Sequence, residues 1–167
     1  ERAHGDGVKI DFDSPESFEE VFWKSFWPSH YKDSQIRLWK KQDEKSDATA
    51  FFREHMKKIT ALRRPDILEK ARYLSKNNTN IARLELLPRM LPDATILIVL
   101  RDPLEHALSL QRQHINFTKM LAEDAFVKRY MEDIGHYEFG SLHRPFALEG
   151  LKELTTGHLP ESPNYWL

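Results

Sequence analysis

Phe18, Val21, Phe22 and Phe26 recur at three- and four-residue steps, the spacing that lays one apolar stripe along a helix. Ser14-Pro15-Glu16 precedes them as N-cap and first-turn proline, and Pro28 stops the run. Residues 28–46 keep no period and are expected to be irregular, with one short helix around Ile36–Lys40. A second helix is predicted from about Asp47, with Phe51, Phe52, His55, Met56, Ile59 and Leu62 on one face and Pro65 at its end. The texture then changes. Arg72-Tyr73-Leu74-Ser75 has the composition of a short strand, and residues 76–80 form a polar turn. Ile81, Leu84 and Leu87 mark a short amphipathic helix, broken near Pro88 because proline lacks a donor and crowds the preceding turn. After a turn at Pro92-Asp93, residues 94–100 are a near-continuous apolar run without alternation, as in a strand covered on both faces. Asp102-Pro103-Leu104-Glu105 opens the next helix with an N-cap, a first-position proline and a capping-box Glu. Ala107, Leu108 and Ile115 fall on its buried side. A further helix is predicted from roughly Glu123 to Ile134, with Val127, Tyr130, Met131 and Ile134 on its face and Gly135 at its C-terminal end. The remainder is mainly loop, with a short helix at Leu148–Leu154.

Strand, helix, strand, helix over residues 72–116 is the order of a parallel α/β unit with a right-handed crossover, so the expected fold class is α/β. The 167 residues suit one domain, and 40% apolar with 31% charged residues is globular rather than disordered composition. A formal net charge of -1 announces no polyanion-binding surface, and nucleic acid is not an expected partner. The chain has no cysteine, which excludes disulfides, thiolate metal sites and cysteine nucleophiles and fits a reducing, cytoplasmic setting. No apolar run is long enough to span a membrane. The polar opening ERAHGDGVKIDFDS does not resemble a signal peptide, and the abrupt ends are those expected of a piece of a longer protein.

In open parallel sheets, ligands collect beyond the carboxyl ends of strands. Arg101 is placed there by the run before it, at the start of a helix whose free N–H groups favour anions. Its planar donor fork suits a phosphate, and Ser109, about two turns along, carries a hydroxyl that can still donate. Together they could grip one dianion from two sides. The alternative is structural: Arg101 pairs with Asp102 or a carbonyl, and Ser109 lets the helix pack closely. In GHYEFG, His136 and Glu138 are candidate catalytic residues, since either can take a proton; the alternative is a hydrogen-bonded or solvated pair. His114, on the helix after Ser109, is a further candidate, and Trp23, Trp27 and Trp39 belong either to a core or to a groove. No metal-ligand spacing such as H-E-x-x-H occurs.

The segment SKNNTNIARLELLPRMLPDATILIVLRDPLEHALSL resembles the 3′-phosphate-binding region of the sulfotransferase family. In that family a K-[ST/N]-x turn, a helix, a PDA turn, an apolar strand and R-[DN]-P-x5-S follow one another in this order. Weaker similarity to bacterial members continues through DSPESFEEVFWKSFW, RYMEDIGHYEFGSLHRP and the terminal NYWL. The resemblance implies a truncated P-loop NTPase-like parallel sheet with many flanking helices. It divides a single partial domain into a mainly helical region (1–65), an α/β core (66–116) and a helix-and-loop region (117–167). It implies a sulfotransferase that moves a sulfonate from 3′-phosphoadenosine 5′-phosphosulfate, without a metal, to a hydroxyl or amine of a small-molecule or glycan acceptor. Arg101 and Ser109 match the residues that hold the donor's 3′-phosphate, and Lys76 matches a lysine near the transferring sulfonate. Two departures stand out. Asn78 occupies the place of a His base in many members, and no strand–loop–helix with a basic residue and consecutive Thr/Ser is present, which leaves half a donor site. The alternatives are a non-catalytic nucleotide-binding or interaction module of the same fold, and a P-loop kinase relative that would need Mg²⁺.

Overall fold

In a computed structural model, residues 19–167 are described. They fall into two compact units, one made of residues 19–37 and 97–167 and the other of residues 38–96. The predicted helix start at Ser14-Pro15, and Phe18 with it, lie outside the described residues.

The first unit is built on helices. Helix α1 (Glu19–Phe26) buries Phe22 and Trp23, and Pro28 opens a 3-10 turn (Pro28–Tyr31) where the helix stops. The Trp23 and Trp27 rings stack with centroids 5.1 Å apart, and both are buried, so these tryptophans serve a core and not a groove. Helix α4 (Pro103–Glu123) begins as its sequence requires: the Asp102 carboxylate accepts from the Glu105 N–H at 2.9 Å. Ala107, His114, Phe117 and Leu121 form its buried stripe, whereas Ile115 is 47% exposed. Ile115 sits one residue, about 100°, off that stripe. Asp124 ends α4 through its N–H to Met120 O, and its carboxylate caps α5 (Ala125–Asp133) by accepting from Phe126 and Val127 N–H. Phe117, Leu121, Met131 and Phe139 form the core between these helices, joined by Val127, Ile134, Leu142 and Trp166. A 3-10 turn (Gly140–Leu142), a short α6 (Leu151–Thr155) and a last 3-10 turn (Pro163–Tyr165) complete this unit.

The second unit holds α2 (Ser46–Arg63), a 3-10 helix (Asn78–Arg83) and α3 (Leu87–Met90). Trp39, Phe52, Ala82, Leu86 and Met90 are buried. The buried Arg83 guanidinium lies 4.5 Å over the Trp39 ring and donates to Asn80 Oδ1 at 3.0 Å, two contacts that offset part of the cost of burying its charge. Arg53 donates to the carbonyl of Met90 at 2.8 Å, where α3 ends with free acceptors. Phe51 and Leu62, expected on the inner face of α2, are 57% and 78% exposed.

The structure overturns the α/β expectation. Among the described residues there is no β-strand, and the architecture is helical. One isolated parallel bridge, Ile36 with Phe146, is the β pairing found among the described residues. It takes the place of the short helix expected around Ile36–Lys40: Ile36 N–H donates to Pro145 O, and Ile36 O accepts from Ala147 N–H, both at 2.9 Å. Residues 72–77 and 95–101 form neither helix nor ladder. A strand is completed by a neighbour's ladder of donors and acceptors, and neither run is part of a ladder among the described residues. The P-loop-like parallel sheet is withdrawn with the α/β class.

Candidate functional site

The sequence candidates are divided between the two units, and each is described in its own. In the first, Arg101 is exposed and stands just before the Asp102 cap, making no hydrogen bond or ion pair among the described residues. It is not folded against Asp102, whose carboxylate serves the Glu105 N–H. Ser109 is half-buried on α4. In the second unit Lys76 is exposed, in the run before the Asn77 side chain caps the 3-10 helix by accepting from Thr79 N–H at 2.9 Å.

His136 and Glu138 are brought together. His136 Nε2 lies 2.9 Å from Glu138 Oε2, and the His136 ring stacks on Phe117 at 5.0 Å with an 8° interplanar angle. Stacking holds the imidazole flat on the core while the carboxylate holds its edge.

Sequence reasoning overlooked the neighbouring group, where the C-terminal segment meets α4. His143 Nδ1 lies 2.7 Å from Glu138 O, and its Nε2 lies 3.0 Å from the Tyr165 hydroxyl. Because a carbonyl only accepts, Nδ1 carries the proton and Nε2 accepts from Tyr165 O–H. His114 Nδ1 accepts from Gly140 N–H at 3.3 Å, which assigns its proton to Nε2, 3.8 Å from Glu161 Oε1. The two imidazoles meet edge to face at 5.6 Å, and the Trp166 ring packs on both. Burial pushes the His143 pKa down to about 4, against the backbone hydrogen bond from Glu138 that favours the cation. Burial likewise lowers the His114 pKa, opposed by the Glu161 carboxylate. Burial raises that of Tyr165. The signal for His114 was in its register: it lies seven residues after Ala107 and three before Phe117, on the buried stripe. Nothing local in the sequence marked His143.

The described residues place no group of three or more His, Cys, Asp or Glu where it could hold a metal ion. None of the described helices is long and apolar enough to cross a membrane. An open hollow of about 320 Å³ is lined by Ser34, Gln35, Pro145, Leu151, Lys152 and Thr155.

Among the described residues, the run before Arg101 leaves consecutive apolar side chains exposed. Leu97, Ile98, Val99 and Leu100 are 80%, 58%, 89% and 86% exposed. Among the described residues, none of residues 95–101 makes a hydrogen bond.

Compared with known families, residues 14–145 match the sulfotransferase family, and the chain belongs to that family. No curated protein matches the chain, and no solved structure does. Membership does not carry the family's chemistry into this structure. Donor binding rests on a parallel sheet that holds a phosphate loop and a strand-end arginine side by side, and the described residues contain no such sheet. Sulfotransfer, the assignment as an enzyme and the 3′-phosphoadenosine 5′-phosphosulfate site are therefore withdrawn. So are the nucleotide-binding alternatives built on the same fold.

Proposed function

We propose that this chain is a protein-association module that works by strand addition through residues 94–101. The observation that carries the reading is the exposure of Leu97, Ile98, Val99 and Leu100, 80%, 58%, 89% and 86%, on a backbone that over residues 95–101 makes no hydrogen bond among the described residues. Folded chains rarely leave such a run in water, because both the side chains and the peptide groups gain from a partner. The side chains are β-branched or aliphatic, and no charge interrupts residues 94–100. Strand addition meets both needs at once: main-chain hydrogen bonds supply attraction and alternate side chains supply selectivity.

Amide hydrogen exchange on the full chain at nanomolar concentration tests this. Residues 95–101 are expected to exchange like unstructured peptide, while α4 is protected. Full protection of 95–101 at that dilution would mean the run is already paired within its own chain, and the association reading would fall. A Leu97→Lys, Val99→Lys double variant should keep the helical circular dichroism of the parent and lose most of its binding of an apolar fluorescent dye.

A further inference from the structure

Taking strand addition as given, we infer that the partner of residues 94–101 is a second copy of this chain, paired antiparallel about Leu97. The inference starts from the two charges that bracket the run, Asp93 and Arg101. Both are exposed, and neither makes a hydrogen bond or ion pair among the described residues.

When a strand pairs antiparallel with its own copy, opposed positions have a constant sum. Setting Asp93 against Arg101 of the second copy centres the two-fold on Leu97, and the same opposition recurs at the far end. The remaining pairs follow without choice. Thr95 faces Val99, Leu97 faces Leu97, Ile96 faces Ile98 and Ala94 faces Leu100. The β-branched residues thus meet one another, the pairing that sheets favour. A parallel in-register pair would instead set Asp93 beside Asp93 and Arg101 beside Arg101. A shift by two residues in either direction would set Asp93 opposite Val99 or Pro103 and Arg101 opposite Leu91 or Thr95, none of them charged. Charge complementarity and side-chain pairing therefore choose one orientation and one register. The interface is isologous, so it closes as a dimer and does not propagate.

Sedimentation velocity on the full chain across a hundredfold concentration range tests this, with charge reversal as the discriminating arm. A monomer–dimer equilibrium is expected, with amides of residues 95–101 slowing in exchange as dimer forms. Arg101→Asp should weaken the dimer roughly tenfold, because it sets like charges together at both ends. The double reversal Asp93→Arg, Arg101→Asp should restore it. Monomer at every concentration with residues 95–101 still exchanging freely overturns self-pairing, and leaves the segment available to a different protein. Protection at nanomolar concentration would instead sink strand addition itself. A dimer indifferent to the single reversal, or not rescued by the double one, overturns the register about Leu97.

Discussion

Two left-handed glycines of the first unit differ in how closely they are packed. Gly140 has φ +69°, and a Cβ there would lie 2.9 Å from the Phe117 backbone carbon and 2.7 Å from Leu121 Cδ1. Gly150 has φ +78° with open space around it. Gly150→Ala should therefore cost only the left-handed penalty, about 1 kcal/mol, while Gly140→Ala should cost about 2–3 kcal/mol because a helix backbone must also move. Urea unfolding of the two variants checks the difference. His143 gives a pH prediction. Its pKa in the folded chain is about 4 against 6.5 for a free imidazole, so the unfolded chain binds more protons between those values. Its contribution is fully present above about pH 6.5 and is lost as pH falls toward 4, by roughly 3 kcal/mol in all. His114, with its pKa lowered in the same direction, adds to the loss. A proton on His114 would also go to Nδ1, the atom that accepts from Gly140 N–H, and would set two donors face to face. His143→Gln should flatten the fall in urea midpoint between pH 6.5 and 4; an unchanged slope would show that His143 is not its source.

At the scale of elements, what the sequence made legible was local chemistry. The start of α4 could be read because its cap, proline and Glu lie within four residues of one another, and the same holds for Gly135, which ends α5 at φ +78°. Asp102→Ala should cost about 1 kcal/mol and fray the first turn of α4, and Asp124→Ala should act likewise on α5, where one carboxylate serves two N–H groups. Helical chemical shifts over residues 104–106 and 126–128 would register both. What could not be read locally were pairings. Residues 94–100 have every internal mark of a strand, yet no neighbour among the described residues completes them. The Ile36–Phe146 bridge joins positions more than a hundred residues apart with no signal in either segment. Of the candidate site, His136 and Glu138 do meet, but Arg101 gains no partner from the order of elements that suggested one.

For the whole molecule, the balance of forces at the proposed dimer can be separated by solution conditions. A formal net charge of -1 gives two copies almost no mutual repulsion, so association is left to the exposed apolar run and the Asp93–Arg101 pairs. These two contributions respond differently. Apolar burial strengthens as temperature rises from the cold and as excluded salts such as sulfate are added. Surface ion pairs weaken with any salt, because the screening length falls from about 10 Å at 0.1 M to about 3 Å at 1 M. The dimer should therefore tighten between 5 and 25 °C, tighten in ammonium sulfate, and loosen only a fewfold in 1 M sodium chloride. The charge-reversed Arg101→Asp variant should respond the other way to sodium chloride, since screening then relieves repulsion. Sedimentation at the two temperatures and in the two salts checks all four expectations. A parent dimer abolished by sodium chloride would mean that charge, not the apolar run, holds it.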